Sequence, residues 1–295
     1  MLEKLLTEQA HPASGHLDEL PTLQLLEVIN AADAEIAGAV AREIPRIAQA
    51  VDAIAKALER GGHLYYIGAG TSGRLGVLDA AEWPPTFNVA PDLVRGLIAG
   101  GEAALVRATE ASEDDQLAGA RDLSEAGFRP QDVLFGIAAS GRTPYVLGAV
   151  AKAREMGAIT CGISCTHASE LSAAVDFPIE PKPGPEVLTG STRMRAGTAT
   201  KLVVNMISTA VMVRLGHVYG NLMVNVQPSN AKLAERAQRI IEQATGVSRP
   251  RAAELLEASG RSIRTAIVME KKKIPRAEAE RLLAQAGGRI REALA

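Results

Sequence analysis

The sequence predicts an α/β protein: a doubly wound, mostly parallel sheet preceded by amino-terminal helices and followed by a small helical domain. Three observations carry this. Between His63 and Ile179, five short apolar runs alternate with helix-length segments. After Pro228 the apolar runs cease and the chain becomes rich in Ala, Arg and Glu. Across 295 residues the composition is 47% hydrophobic but only 3% aromatic, so the core has to be built from small aliphatic side chains on many helices.

The elements follow in order. Residues 1–22 show little periodicity and carry Pro12 and Pro21, and read as an arm that packs on something else. Helices are expected at Thr22–Ala34 and Ile36–Arg60, the second with Ile47, Val51, Ile54 and Leu58 at three- and four-residue spacing. Gly61-Gly62 stops it. The strand candidates are His63–Ile67, Leu93–Ala99, Asp132–Ala138, Ile159–Ser164 and Val175–Ile179, whose apolar character predicts strands buried on both faces. Helices are expected between them at Ser72–Glu82, Ala103–Ala108, Asp114–Ala126, Thr143–Met156 and Ala168–Ala174. A long apolar helix, Arg195–Leu215, covers the sheet. Breaks at Gly246, Gly260, Pro275 and Gly287-Gly288 divide the remainder into a bundle. The resulting domains are 1–53 (arm and helices), 54–225 (sheet) and 226–295 (bundle).

Composition also excludes. With 32 basic against 34 acidic residues the net charge is −2, there is no basic stripe, and aromatic stacking platforms are scarce, so nucleic acid is not an expected partner. Cys161 and Cys165 lie in an apolar stretch, fit neither a disulfide framework nor a zinc site, and read as buried thiols of a cytoplasmic protein. No apolar run suggests a signal peptide or a membrane span. The five histidines lack metal-ligand spacing, and no metal is expected.

In a doubly wound sheet, ligands bind beyond the carboxyl ends of the strands, and three hydroxyl- and glycine-rich loops fall there. The first, Gly68-Ala-Gly-Thr-Ser-Gly-Arg, matches G-x-G-x-x-G but lacks the acidic residue a dinucleotide site places about 20 residues on. Gly70, Thr71 and Ser72, at a helix start, suit a phosphomonoester better, although a tight turn without ligand needs the same glycines. In the second, Ala139-Ser-Gly-Arg-Thr-Pro, Thr143 is positioned to cap a helix while Ser140 and Gly141 face an anion. Arg74 and Arg142 either add charge there or form surface salt bridges. The third, Leu188 to Thr198 with Ser191, fits sugar or phosphate contacts or a capping turn.

Two carboxylates sit unusually. Glu82 falls at the expected carboxyl end of a helix, an unfavourable place for negative charge, and Glu113 lies in the acidic turn Thr109–Asp115, which capping by Ser112 also explains.

Together, Gly68-Ala-Gly-Thr-Ser-Gly-Arg-Leu-Gly, Asp79-Ala-Ala-Glu-Trp-Pro-Pro-Thr, Gly136-Ile-Ala-Ala-Ser-Gly-Arg-Thr-Pro-Tyr and Thr189-Gly-Ser-Thr-Arg-Met-Arg-Ala-Gly-Thr resemble the N-acetylmuramic acid 6-phosphate etherases over essentially the whole chain. The resemblance implies a sugar isomerase (SIS) fold, a homodimer with its site near the subunit interface, no metal or organic cofactor, and cleavage of the C3 lactyl ether to N-acetylglucosamine 6-phosphate and D-lactate. It carries two acid–base glutamates onto Glu82 and Glu113, with Glu113 as the C2 base and Glu82 as the acid toward the ether oxygen. Trp83 departs from the family pattern, where a smaller residue is expected. An acid that holds its proton at neutral pH needs burial or a neighbouring carboxylate, and Trp83 with Pro84-Pro85 is the expected apolar setting.

Ser72 and Glu82 are ten residues apart, about 15 Å along a straight helix, further than the phosphate lies from the ether oxygen. Unless the helix breaks near Gly76, Glu82 serves the partner's site. The competing reading is a non-catalytic sugar-phosphate sensor like the glucokinase regulatory protein, which is about twice as long. A transcriptional regulator lacks its helix-turn-helix here, and an isomerase or amidotransferase lacks its second SIS repeat or glutaminase domain.

Overall fold

The computed structural model describes residues 6–107, 112–228 and 230–295. The expected acidic turn therefore lies partly outside the described residues, from Thr109 to Ala111, as does the end of the expected helix at Ala108 and the start of the arm. The arm forms 3-10 turns at Leu6–Glu8 and Leu17–Glu19. Helix α1 spans Thr22–Ala34, as its periodicity predicts. The expected single helix Ile36–Arg60 is instead two, α2 (Ile36–Ala41) and α3 (Ile44–Glu59). Pro45 is the physical reason: in the first turn of α3 it has no N–H to give to the carbonyl of Ala41, so the ladder cannot run through.

Then come β1 (Leu64–Gly68), α4 (Gly70–Phe87), β2 (Val94–Ile98), α5 (Ala103–Val106), α6 (Gln116–Glu125) and β3 (Val133–Ile137). They are followed by α7 (Pro144–Glu155), β4 (Ile159–Ile163), α8 (Glu170–Ala174), β5 (Phe177–Ile179) and α9 (Arg195–Arg214). All strand pairs are parallel, in the order β2-β1-β3-β4-β5. β1 and β3 are buried along their whole length, as apolar strands between helical layers should be. Because the chain goes from β1 outward to β2 and returns to β3 on the other side, the switch point lies between β1 and β3. The loops after β1 and after β3 are therefore neighbours.

At the opposite end of these strands Asp132 accepts hydrogen bonds from the backbone N–H of His63 (2.9 Å), from the backbone N–H of Arg129 (2.8 Å) and from Arg129 Nη2 (2.9 Å). This staple joins β1 to β3 at their amino ends.

The chain separates into two compact units, residues 1–81 with 92–208, and residues 82–91 with 209–295. The second contains α10 (Ala231–Thr245), α11 (Arg249–Ala258), α12 (Ile263–Lys272), α13 (Arg276–Gln285) and α14 (Ile290–Leu294) around Ile240, Ile241, Leu255, Leu256, Ile267 and Val268. Its helix ends follow the expected chemistry: Asn230 and Ser262 accept capping bonds from Leu233 and Thr265, and Gly246 closes α10 in the left-handed conformation. α9 is long and apolar enough to cross a membrane by length and composition, yet Val203, Val204, Ile207, Val211 and Met212 are buried inside the protein.

Candidate active site

The loop after β1 is shaped by two glycines packed back to back. A Cβ on Gly73 would lie 2.6 Å from the Gly68 carbonyl oxygen and 2.6 Å from Ile98 Cγ1, so strand and helix can meet this closely only without side chains. Gly70 begins α4 with φ +52°, and Thr71 and Ser72 follow in the first helical turn. In the loop after β3, Gly141 has φ +67°, and a Cβ there would be 2.2 Å from Ser169 Cβ. Its N–H donates to Ala138 O (2.8 Å) and its carbonyl accepts from Leu171 N–H (2.9 Å). Thr143 stands at the N-cap of α7, but its hydroxyl makes no capping bond, contrary to expectation. Ser140 Oγ accepts from the Arg142 N–H at 3.4 Å. Among the described residues, no hydrogen bond within the chain occupies the hydroxyls of Thr71, Ser72, Thr143 or Ser191.

Glu113 ties the two loops together. Its Oε1 lies 3.1 Å from where a Cβ of Gly70 would be, and its carbonyl oxygen accepts from the Tyr145 N–H (3.1 Å) in the first turn of α7. Ser112 is not the cap of α6. Asp115 is, accepting from Ala118 N–H at 2.9 Å. The spacing supports this, since an N-cap oxygen reaches the amide three residues on and the helix starts at Gln116. α6 and α7 then approach through glycines: a Cβ on Gly119 would sit 1.8 Å from Tyr145 O, and one on Gly148 1.9 Å from Gln116 O.

The third loop meets the first at Gly197, where a Cβ would lie 3.4 Å from Thr71 Cγ2. The amino terminus of α9 is closed by Glu186, a residue not singled out from sequence. Its buried carboxylate accepts from the N–H groups of Arg195 (2.8 Å) and Ala196 (2.9 Å). Burial pushes the Glu186 carboxyl up, against the pull of these two amides. The capping half of the reading of this loop thus belongs to Glu186, and Ser191 remains half-buried beside it.

Of the two arginines, only Arg142 forms the expected surface salt bridge, and half-buried Arg74 binds backbone carbonyls instead. Arg74 donates to the carbonyls of Ala104 (2.6 Å) and Leu105 (3.1 Å), and Arg142 pairs with Glu170 at 3.0 Å. A serine cluster after β4 was also missed: Ser169 Oγ lies 3.0 Å from Ser164 Oγ and 2.9 Å from Ser172 Oγ, directly beneath Gly141. Its only sequence signal is the hydroxyl density of Ser164 to Ser172. Cys165 is packing, as expected, because burial pushes its thiol up to about 12 and leaves no thiolate.

Glu82 corrects two expectations. α4 continues five residues past it to Phe87, so it does not face a helix end. Trp83 turns inward, 1% exposed with its ring edge-on to Phe87, while Glu82 is exposed, because adjacent helix positions point about 100° apart. Among the described residues, the apolar setting expected from Trp83 does not enclose Glu82, which is exposed. α4 also runs unbroken through Gly76, which packs on Tyr66 Cβ. Among the described residues, no group of three or more His, Cys, Asp or Glu side chains is arranged to hold a metal ion.

Comparisons with known proteins fit this architecture. The family model of the glucokinase regulatory protein N-terminal SIS domain matches residues 46–154. A phosphoheptose isomerase from Francisella tularensis superposes with a TM-score of 0.51 over 65% of this chain and 98% of its own, at 19% identity, which establishes the shared α/β fold of SIS domains. The N-acetylmuramic acid 6-phosphate etherase of Aeromonas hydrophila is 54% identical over 91% of this chain and 90% of its own length. That of Klebsiella aerogenes is 51% identical over 99% and 98%. Sharing about half its residues with these enzymes from one end to the other, the chain belongs to the N-acetylmuramic acid 6-phosphate etherase family.

Proposed function

We propose that this protein cleaves the C3 lactyl ether of N-acetylmuramic acid 6-phosphate in the cytoplasm, yielding N-acetylglucosamine 6-phosphate and D-lactate. The observation that carries the reading is the carboxylate of Glu113 against Gly70, with its backbone bonded to Tyr145: one base shared by two loops built for a phosphomonoester. Backbone N–H groups at the starts of α4 and α7, with the hydroxyls of Thr71, Ser72, Ser140, Thr143 and Ser191 and the backbone of Gly141, surround the phosphate. Since Arg74 and Arg142 are engaged elsewhere, the grip is made of dipoles rather than fixed charges.

With the sugar open, the C1 aldehyde acidifies the C2 proton. Glu113 takes it, electrons move to form the C2–C3 double bond, and the C3–O bond breaks as Glu82 gives its proton to the departing lactate oxygen. Water then adds at C3 with the roles reversed: Glu82 takes a proton from the water and Glu113 returns one to C2. The sum is one water consumed per ether cleaved, with no covalent enzyme intermediate.

The same reading makes the protein a homodimer with shared sites. Ser72 and Glu82 are ten residues apart in the sequence of α4. Leu78, 53% exposed, shares the face of Glu82 at i, i+4, and Met206 (39%) and Val213 (48%) form a second exposed apolar pair at i, i+7 on α9. A second copy covering these faces would give Glu82 the dry setting it needs to hold its proton.

The test is lactate release from N-acetylmuramic acid 6-phosphate by the purified protein and by its Glu82→Gln and Glu113→Gln forms. The expected result is release by the wild type and a loss of about a hundredfold or more in each variant. Binding without lactate release by the wild type would make the protein a sugar-phosphate sensor and the two glutamates ligand contacts.

A further inference from the structure

Asp79 is 5% exposed, carries no part in the reaction above, and accepts three side-chain hydrogen bonds. Its Oδ2 accepts from the Tyr66 hydroxyl at 3.0 Å, and its Oδ1 from Asn205 Nδ2 at 2.9 Å and from Ser208 Oγ at 3.0 Å. Tyr66 lies on the central strand β1, and Asn205 and Ser208 lie one turn apart on α9. Lys201 donates to Asn205 Oδ1, which orients the amide so that its NH2 faces Asp79. Burial, and then the Asp79 charge, push the Tyr66 phenol well up, so it stays a donor at any working pH. Burying a carboxylate this deeply is unfavourable unless it is satisfied, and here three donors from two other elements satisfy it.

The local sequence explains why α4 needs such an anchor. Pro84 and Pro85 have no N–H, so the carbonyls of Ala80 and Ala81 lack the i+4 amide donor that a regular helix supplies. The stretch that carries Glu82 is therefore weakened by two missing ladder donors. Asp79 is three residues upstream on the same helix, just before the gap in the ladder.

We propose that Asp79 is a positioning residue for Glu82: the hydrogen bonds from Tyr66, Asn205 and Ser208 fix α4 at Asp79 and thereby the place from which Glu82 protonates the leaving group. This rests on the reading of Glu82 as the acid. A misplacement of about 1 Å is enough to cost a hundredfold in rate.

The experiment compares two substrates, N-acetylmuramic acid 6-phosphate and the 3-chloro-3-deoxy analogue of N-acetylglucosamine 6-phosphate, whose chloride leaves without a proton. It uses Asp79→Ala, Asp79→Asn, Ser208→Ala and Glu82→Gln, with amide exchange over residues 80–88. Asp79→Ala is expected to lower kcat for lactate release at least tenfold with KM unchanged, and chloride release by less than about twofold. Asp79→Asn recovers part of the loss, because its amide oxygen still accepts from Asn205 and Ser208. Ser208→Ala, which keeps the carboxylate and so the fold, shows the same selective loss at about two- to fivefold. Exchange over 80–88 rises in the Asp79 variants while β1 keeps its protection. Equal losses on both substrates, a KM effect without a kcat effect, or unchanged exchange over 80–88 would overturn the proposal. If Glu82→Gln itself shows no preference for the chloro analogue, the assignment of Glu82 as acid falls and the catalytic half of this inference with it. Exchange then decides the anchoring half alone.

Discussion

Gly70 is the point where the phosphate-type turn and the proposed base touch. Its φ of +52° is left-handed, and the space a side chain would need is bounded by Glu113 Oε1. Gly70→Ala therefore adds backbone strain of about 1 kcal/mol and pushes the carboxylate aside. The expected outcome is a fall in kcat for lactate release of about tenfold or more with a small drop in thermal stability, measured by steady-state kinetics beside a melting curve. A variant with unchanged kcat would separate Glu113 from the loop. From sequence, Gly70 was legible as a residue a tight turn demands. That the turn faces Glu113, 43 positions along the chain, was not, because the contact depends on the β1–β3 switch point rather than on local spacing. Asp79 and Tyr145 were hidden for the same reason: each reads as an ordinary helix residue until its partners on other elements are known.

At the scale of elements, periodicity and punctuation located most helices and strands to within a few residues, and α1 to the residue. The departures have local causes. Pro45 splits the second expected helix. α4 survives Pro84-Pro85, because Asn88 N–H bonds Pro84 O at 2.9 Å and the Phe87 carbonyl is met by Asn225 Nδ2 at 2.7 Å. His217 joins this second contact, its Nδ1 3.2 Å from Phe87 O and 2.6 Å from Asn225 Nδ2. Burial first, and then the Arg264 charge, hold the His217 imidazole below its ordinary value, against the Phe87 carbonyl. The folded state thus keeps His217 neutral while the unfolded chain takes up a proton below about pH 6.5, so stability rises with pH through that range and is lost as pH falls. Melting curves between pH 8 and 5.5 should show this slope in the wild type and a flatter one in His217→Asn. An equal slope in both would assign the dependence to another group.

At the scale of the whole molecule, the exposed position of Glu82 and the apolar residues Leu78, Met206 and Val213 make a testable case for assembly. Mixed dimers of one Glu82→Gln subunit and one Ser140→Ala subunit contain, if sites are shared, one site with both residues intact. They should recover about half the activity of the wild-type dimer. No recovery above the inactive parents would place Glu82 and Ser140 of one site on the same chain.

The sequence by itself determined the parallel α/β architecture, the three ligand-end loops, the helical character of the carboxyl-terminal residues and, through its motifs, the family. All of these are written locally, in the period of apolar residues and in glycine and proline punctuation. Only the tertiary structure decided that Glu113 abuts Gly70, that Glu186 rather than a hydroxyl closes α9, that Arg74 binds backbone carbonyls while Arg142 pairs with Glu170, and that Asp79 is held by Tyr66, Asn205 and Ser208. Each is a contact between residues distant in the chain, and its existence depends on strand order and on how closely glycine-lined helices approach, which no local pattern encodes.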